Sequence, residues 1–542
     1  MSLFSTGLSG LNAAQVALQT AGTNVSNVYT PGYNRQVTQL GETQPAGGGV
    51  QVNDVERQFN QYIASQLNAA TSRSSALETY NTQASQIDNL LADSDSGLAP
   101  LMQSFFSSME DLAGAPSDPA ARQGVIGTAD TLTGQFRAFD SYLDDMQSGI
   151  NGQIRDEVTQ INNTADQLAK LNRQISLTKA KTGDIPNNLL NQRDHMVATL
   201  SERLDVSLSV QDGDTYNVML GNGQPLVAGN RSYTLEAVPS SADPSRTVVA
   251  YNDPGGSQVE LRDSTFEGGT LGGLMTFRRE TLDKTQNQLG QMALSLAAGF
   301  NDQHRAGQDL NGDPGGDFFA IGGPTVFSED TNQGNASITS AVFGDVSKVT
   351  PGDYQLRYDG SAFDVTRLDT GTQLDSGDVA WDSTSGELSF DGVTLTVDDA
   401  TKLQNGDVYQ LQPTRNLAGT LENVINDTSR IAAAETNAAG DNANALKLQN
   451  LQNADLVGGK ASLNESYASM VSDVGNRTNV VQANLDAQNT LTEQLKQVQQ
   501  SESGVNLDEE AANLIRFQQY YQANAKVIQT ASTVFDSILG IR

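Results

Sequence analysis

The sequence contains no cysteine and, in 542 residues, only two histidines and one tryptophan. Without cysteine the chain has no disulfide bond, no thiolate metal site and no cysteine nucleophile. A zinc centre or a Ser-His-Asp triad would have to be built from His195 and His304, which lie far apart in the sequence. We therefore predict neither a metal site nor a bound cofactor, and we interpret both histidines as surface or helix-capping residues.

Basic residues are scarce as well. The chain has 32 Lys and Arg against 64 Asp and Glu, which gives a formal net charge of -32. Such a charge repels phosphate backbones and anionic membrane surfaces, so nucleic acid and membranes are disfavoured as partners. No run of about 20 apolar residues is present, so no transmembrane helix is expected. The N-terminus lacks a basic region followed by an apolar one, and a cleaved signal peptide is not expected either.

Helical and strand periodicities alternate along the chain. From Phe136 to Ile175 apolar residues keep helical spacing, which over about 40 residues predicts a helix of roughly 60 Å. In segments such as 206–210 and 393–397 the period changes to two, and Asp-Gly and Asn-Gly pairs mark hairpin turns between such segments. The order along the chain is helix, β, helix, β, helix.

The predicted fold class is α+β and multidomain, with an elongated, coiled-coil-like helical stalk formed by both termini and all-β domains inserted into it. The length predicts three or four domains at roughly 150 residues each. We divide the chain into terminal helices at 1–35 and 503–542, a helical rod domain at 36–205, 268–320 and 416–502, and β-rich inserted outer domains at 206–267 and 321–415.

The N-terminal segment carries no charged residue before Arg35. Its apolar and small residues recur at a spacing of three and four, which places a narrow seam along one side of a helix. The seam consists of Phe4, Gly7, Leu11, Ala14, Leu18, Ala21, Val25 and Val28, with Leu8 beside it. Pro31 and Gly32 end the helical pattern, because proline cannot continue a helix and Pro-Gly favours a tight turn.

The C-terminal segment has the same pattern. Asn506 followed by Glu509 is typical of a helix N-cap with its capping-box partner, and Asp508 and Glu510 favour the positive helix start. The seam that follows consists of Leu514, Phe517, Tyr521, Asn524, Ile528, Ala531, Phe535 and Ile538. We predict that the large apolar residues of both seams form an assembly interface.

Two interpretations of the terminal helices remain open at this stage. Both could pack on one ordinary helical domain, or they could be assembly helices that become ordered only when subunits stack. A lone helix of this composition is marginal in water. The absence of charge before Arg35 favours the second interpretation, since a solvent-facing helix usually carries charged residues. We therefore expect residues 1–35 and 503–542 to be disordered in the monomer.

Several segments resemble the axial proteins of the bacterial flagellum, the family of rod, hook and hook-associated proteins. At the N-terminus these are residues 7–14, 24–27 and 30–35, and at the C-terminus residues 504–510, 514–518 and 521–528. The C-terminal segments, with 188–194, 300–319 and 440–445, are similar to the member that joins hook and filament. The family-motif residues in this chain are Asn27, Pro31, Gly32, Tyr33, Asn506, Leu507 and Glu510.

The resemblance implies a structural subunit and not an enzyme. It implies export through the flagellar type III system without a cleaved signal, after binding of an export chaperone to the C-terminal region. It further implies an extracellular, helical homo-oligomer between hook protein and hook-associated protein 3, with the terminal helices inside. Two alternatives stay open: a hook or rod subunit of the same family, and an exported acidic carbohydrate-active enzyme on a helical stalk.

Overall fold

The computed structural model describes residues 3–43, 48–93, 97–183, 186–211, 215–253, 255–436, 438 and 440–540. Long helices dominate its first third and its C-terminal end. The helices are α1 (Leu3–Ser26), α2 (Gln61–Leu91), α3 (Leu98–Gly114), α4 (Pro119–Thr182), α5 (Asn187–Arg203), α6 (Gly269–Phe277), α7 (Asp283–Arg305), α8 (Leu417–Thr420), α9 (Ala443–Asn450), α10 (Leu463–Ser503) and α11 (Leu507–Leu539). A π-helical turn, Arg278–Leu282, joins α6 to α7 without a break.

The longest helix, α4, has 64 residues and is therefore roughly 96 Å long, well beyond the predicted 60 Å. Its ends show why it extends so far. Asp118 caps the first turn with its side chain, Pro119 occupies the first helical position, and Gly183 ends the helix at φ 75°, a conformation that glycine adopts without strain. The buried residues Phe136, Leu143, Ile150, Ile154 and Ile161 keep helical spacing along one face, as predicted.

The stalk is formed largely by α2 and α10, which run antiparallel. The first residue before α2, Asn60, donates to Glu502 at the end of α10, whereas Tyr467 near the start of α10 donates to the carbonyl of Leu91 at the end of α2. A capping box formed by Ser462 and Glu465 fixes the start of α10. The prediction of a helical stalk with inserted β structure is confirmed by this arrangement.

The strands of the described residues form six antiparallel sheets. The first half of the chain contains β1 (Gln36–Glu42), β2 (Val50–Arg57), β3 (Val206–Gln211), β4 (Thr215–Leu220), β5 (Pro225–Ala228), β6 (Arg231–Ser232), β7 (Leu235–Pro239), β8 (Thr247–Asn252) and β9 (Gln258–Glu260). They pair as the hairpin β1-β2, the sheet β3-β4-β5-β6 and the sheet β7-β8-β9.

The second half contains β10 (Phe319–Ala320), β11 (Thr325–Ser328), β12 (Ile338–Phe343), β13 (Tyr354–Tyr358), β14 (Phe363–Arg367), β15 (Ala380–Asp382), β16 (Glu387–Phe390), β17 (Val393–Val397), β18 (Val408–Gln412) and β19 (Glu422–Asn423). The sheets β11-β18-β13-β14 and β12-β17-β16-β15 pack into one apolar core of their own. We call residues 325–412 the outer domain. Strands β10 and β19 pair below it and close its base.

The predicted helical range 36–205 is wrong at its beginning, because residues 36–57 form the hairpin β1-β2. The period-two signal was present in Val50, Val52 and Val55, which alternate with polar residues. The range 416–502 is likewise wrong in part. Between α8 and α9 the described residues form mainly turns and irregular segments, and continuous helix starts only at Leu463.

The first β-rich block, 206–267, does not form a separate inserted domain. Val218, Leu235, Val249 and Tyr251 belong to the same apolar core as α4 and α7. Amide side chains of α4 also bond to the strands: Asn162 donates to the carbonyl of Leu235. The block therefore lies against the long helix, because its sheets are too small to bury their apolar faces alone.

Candidate assembly site at the paired termini

Helices α1 and α11 lie side by side and run antiparallel, although their sequences are at opposite ends of the chain. The face of α1 toward α11 consists of small residues. Gly7, Gly10, Ala14, Ala17 and Ala21 are all buried. A Cβ atom at Gly7 would lie 2.8 Å from Cγ1 of Ile528. The two backbones thus approach closely because this face has almost no side chains.

The predicted seam residues divide into two groups. Leu11, Leu18, Val25, Val28, Leu514, Phe517 and Ile528 are half-buried, whereas Phe4, Leu8, Tyr521, Phe535 and Ile538 are exposed. The structure thus partly buries most of both seams and leaves in solvent the N-terminal end of α1, the C-terminal end of α11 and Tyr521. Gly7, Ala14 and Ala21 were placed in the seam, but the contact was assigned to its large apolar residues; Gly10 and Ala17, which repeat the same spacing of three and four, were not recognised.

The outer surface of this helix pair is apolar to an unusual extent. The large apolar residues exposed there are Leu3, Phe4, Leu8, Leu507, Ile515, Tyr520, Tyr521, Val527, Val534, Phe535, Ile538 and Leu539. Phe535 and Ile538 are each 62% exposed. Contiguous exposed apolar surface on a soluble chain marks an interaction site. In α11, all of which is described, Glu510 is the one buried residue.

A buried hydrogen-bond network, which we call the polar junction, attaches the helix pair to the rest of the chain. The Glu510 carboxylate accepts from Asn24 Nδ2 at 3.2 Å and pairs with Arg35 Nε at 2.8 Å. Asn24 Nδ2 also donates to the carbonyl of Gln36, and its Oδ1 accepts from the Tyr33 hydroxyl at 2.8 Å. Four side chains from α1, the turn after it and α11 thus satisfy one another around the buried Asn24 and Glu510.

Burial, together with the nearby Glu510 carboxylate, raises the pKa of Tyr33 to about 12. A tyrosine hydroxyl is protonated at neutral pH at its ordinary pKa as well, and here it acts as a donor. This explains why Tyr33 belongs to the junction: the hydroxyl donates to the amide oxygen of Asn24 and leaves the amide nitrogen of Asn24 free to reach Glu510.

The remaining family-motif residues shape the chain on both sides of the junction. Asn27 accepts a hydrogen bond from Thr30 in the turn after α1, and Gly32 adopts φ 74° with its Cα against His195. Pro31 is exposed in the same turn. Asn506 caps α11 by accepting from Asp508 and Glu509. Leu507, in the first turn of α11, is 43% exposed.

The hairpin β1-β2 and the turn after α1 both bond to side chains of α5. Arg57 NH1 pairs with Asp194 of α5 at 2.5 Å, and the same nitrogen donates to Asn191 Oδ1. Asn34 donates to the same Asn191 oxygen at 2.8 Å. The turn after α1, the hairpin and α5 therefore form one hydrogen-bonded unit that carries the terminal helix pair.

Histidine chemistry does not contribute to this site. His304 was interpreted as a surface or capping residue, and this is wrong, because it is completely buried. Its Nδ1 bonds to the Gly316 carbonyl at 2.7 Å and its Nε2 accepts from the Ala432 amide at 2.9 Å. Burial lowers its pKa, so the ring is neutral and structural. His195 is half-buried in the cleft below the turn after α1.

Within the described ranges, no group of three or more His, Cys, Asp or Glu side chains is arranged to hold a metal ion. No helix within those ranges has the length and hydropathy needed to cross a bilayer. The paired helices α1 and α11 present an apolar outer surface that another protein chain can pack against. The polar junction fixes this helix pair at one end.

These features define a class: a multidomain axial protein of the flagellar type, in which the two terminal helices pair and the domains between them follow in nested order. Three family models match successive parts of the chain. The helical domain of flagellar hook-associated protein FlgK matches residues 84–319, and a D2-like domain of flagellar hook-associated protein 1 matches 327–413. The C-terminal model of flagellar basal body rod FlgEFG proteins matches 498–541.

Similar proteins extend the match to the whole length. Flagellar hook-associated protein 1 of Escherichia coli is 45% identical over 552 aligned residues, which cover 100% of both chains. The protein of the same name from Salmonella typhimurium is 43% identical, again over 100% of both. The flagellar hook junction protein FlgK from Burkholderia pseudomallei has a similar structure, with a TM-score of 0.75, 28% identity, and coverage of 80% of this chain and 99% of that one. The chain belongs to the family of flagellar hook-associated protein 1.

Proposed function

We propose that the chain is a structural subunit of the bacterial flagellum that joins hook and filament and polymerises through its terminal helices. The full-length similarity to flagellar hook-associated protein 1 supports the place in the flagellum. The observation that carries the polymerisation step is the exposed apolar exterior of the paired termini, which in a single chain faces water.

The proposal includes further elements. The subunit acts without catalysing a reaction, and it leaves the cell through the flagellar export system without a cleaved signal. Its neighbours in the assembly are further copies of itself, hook protein and hook-associated protein 3, and an export chaperone holds its C-terminal region beforehand. Its working location is outside the cell. The terminal helices order when copies stack, because stacking covers residues such as Phe535 and Ile538.

A substitution on the exposed face of α11 tests the polymerisation step. Phe535→Asp places a charge where Phe535 is 62% exposed, so the fold of the subunit is preserved while a copy-to-copy contact becomes unfavourable. In a strain that lacks the natural gene, we expect the variant to be secreted at the normal level, yet to leave hooks without filaments and to release filament protein into the medium.

Gln522→Asp is the matched control, because Gln522 is an exposed polar residue of the same helix and receives the same side chain. Cells with this variant should swim normally. Electron microscopy of the cells and quantification of secreted subunit distinguish failed assembly from failed export. Normal filaments on cells carrying Phe535→Asp would contradict the proposed role of this surface.

The alternative of a carbohydrate-active enzyme finds no support in the cleft of about 440 Å³ between the β structures, which contains several carboxylates. Three of them are buried. Asp283 and Asp353 are paired with arginine, and Asp243 accepts from Gln412 and Ser245. A glycosidase needs two carboxylates free to act on a sugar, and these are engaged in structural contacts.

A further inference from the structure

The outer domain meets the helical body through few buried apolar side chains. It has its own apolar core, to which the body adds Leu294 of α7 and Leu417 of α8. Next to Leu294, Gly290 touches the backbone of Thr414 so closely that a Cβ atom would overlap the Thr414 carbonyl. With so little shared apolar surface, burial alone does not define the angle between the outer domain and the stalk.

Polar side chains of α7 make most of the specific contacts with the outer domain. Gln291 Nε2 donates to the Val349 carbonyl at 2.7 Å, and Asn287 Nδ2 donates to Asp353 Oδ1 at 3.2 Å. In return, the Thr414 hydroxyl donates to the Asn287 carbonyl at 3.0 Å. Because hydrogen bonds depend on direction, these contacts select one orientation rather than a range.

Four buried charges continue this contact, and we call them the charge chain. Arg246 pairs with Asp283 at 2.8 Å, Asp283 with Arg415 at 3.4 Å, and Arg415 with Asp353. Their side chains are between 7% and 15% exposed. Arg246 belongs to the β7–β8 connection and Asp283 to α7. Asp353 directly precedes β13 of the outer domain, and Arg415 lies in the segment that leaves this domain after β18, so the charge chain joins the helical body to the outer domain and its connection.

The π-helical turn before α7 explains how one helix reaches both β structures. Arg278 begins this turn and Asp283 follows it, five residues later. In a regular α-helix, residues five apart point about 140° away from each other, whereas a π turn bonds residues five apart and brings them to one side. Arg278 accordingly bonds the Thr247 carbonyl at 2.7 Å, and Asp283 pairs with Arg246, one residue earlier in the chain than Thr247.

Buried ion pairs of this kind are better suited to fixing a geometry than to adding stability. Removing water from both charges offsets most of their attraction, but a single charge left without its partner is strongly unfavourable. An orientation of the outer domain that separates Asp353 and Arg415 from Asp283 and Arg246 is therefore disfavoured. The neighbouring cleft of about 440 Å³ provides room for these side chains once the contact is broken.

We propose that the charge chain is an orientation latch: it fixes the angle at which the outer domain leaves the helical stalk, and opening it lets the outer domain pivot about the chain crossings beside Ala320 and Thr414 without unfolding. The latch lies outside the terminal helices, so it does not depend on the proposed polymerisation surface.

The test measures the orientation directly in the full chain. Because the sequence has no cysteine, two introduced cysteines, Gln160→Cys on the exposed side of α4 and Glu387→Cys on the exposed side of β16, are the only labelling sites for a fluorophore pair. Single-molecule energy transfer should show one narrow distance distribution in the otherwise unchanged chain. With Asp353→Asn added, we expect a second distance population. The fraction of molecules in this population should be roughly tenfold larger than in the chain with Asp353 unchanged.

Asp378→Asn is the matched control, because Asp378 is an exposed aspartate of the same domain and its carboxylate is replaced by the same amide group. It should leave the distribution narrow. The fold of the outer domain is read separately from Trp381, the one tryptophan of the chain, whose ring packs on Phe363 at 5.0 Å between centroids. Native Trp381 emission with a broadened distance distribution is the result that supports the latch.

The double variant Asp353→Leu/Arg415→Met covers the case in which Asp353→Asn unfolds the outer domain. It removes one pair of charges together and so leaves no lone charge from that pair, while the apolar replacements retain the volume. We expect native Trp381 emission together with a broadened distribution. A distribution that stays narrow in the folded double variant would overturn the proposal, because the orientation would then be fixed by the other contacts alone.

Discussion

A methyl group added at Gly7 tests how closely α1 and α11 approach each other in the assembled subunit. The new Cβ atom would lie 2.8 Å from Cγ1 of Ile528, and 3.3 Å from both the Asn524 carbonyl oxygen and the Ile528 backbone nitrogen. Rotation of the Ile528 side chain can relieve the first contact. The other two involve the backbone of α11, so the helices themselves would have to separate.

The magnitude follows from two opposing effects. Glycine to alanine in a helix interior stabilises the helix by about 0.8–1.0 kcal/mol, and overpacking a tight contact costs roughly 1–3 kcal/mol. At Gly22, on the same helix, an added Cβ atom meets nothing within 4 Å and only the gain remains. We therefore expect the association of α1 with α11 to be weaker in Gly7→Ala than in Gly22→Ala by about 1–3 kcal/mol. This difference corresponds to a decrease of roughly 5- to 150-fold in the equilibrium constant for pairing of the two helices.

The assay compares Gly7→Ala, Gly7→Leu and Gly22→Ala in a strain that lacks the natural gene, with soft-agar swimming and filaments per cell as readouts. We expect Gly22→Ala to match the unchanged protein, Gly7→Ala to reduce filament number, and Gly7→Leu to abolish filaments. Secreted subunit is quantified for each to exclude an export defect. Equal filament numbers for Gly7→Leu and Gly22→Ala would refute the close packing as a requirement for function.

Three further outcomes follow from buried polar groups. Glu510→Gln removes the buried charge that faces Arg35 and leaves the exposed Glu509 as its one charged partner in the junction, so it should weaken the polar junction by roughly 1–3 kcal/mol. In assembled subunits trypsin should then cut after Arg35 about tenfold faster, and an unchanged rate would contradict the junction. Burial and the adjacent Asp144 raise the pKa of Asp140 to about 7. The folded chain thus holds a proton that the unfolded chain releases above about pH 4, so stability falls as pH rises toward 7. In urea unfolding, Asp140→Asn should stabilise the chain by roughly 2–3 kcal/mol more at pH 8 than at pH 5. An equal effect at both pH values would exclude a raised pKa for Asp140. His304 behaves in the opposite sense, because its pKa lies below the ordinary 6.5. The unfolded chain takes up the proton first, so stability falls as pH drops below about 6.5, and His304→Gln should flatten that loss in the same assay.

Local sequence pattern predicted several elements well, and particular residues show why. The spacing of Phe136, Leu143 and Ile150 predicted a long helix because residues three and four apart share a helix face whatever else the chain does. Asn506 was correctly placed before α11, since a cap requires only the backbone of the next few residues. The hairpin at 36–57 carried signals of the same local kind, in the alternation of Val50, Val52 and Val55, that were not recognised.

What the sequence by itself determined is therefore the order of helix and strand segments, the seams on the terminal helices, and the family to which the motifs belong. Only the tertiary structure showed that glycine and alanine form the contact between α1 and α11, and that the block 206–267 rests on α4. It also showed that Arg35 meets Glu510, 475 residues away, and that Arg246, Asp283, Arg415 and Asp353 form one charge chain. The physical reason is the range of the forces involved. Periodicity and capping depend on neighbours within a turn, whereas burial and ion pairing depend on which distant segments the whole fold brings together.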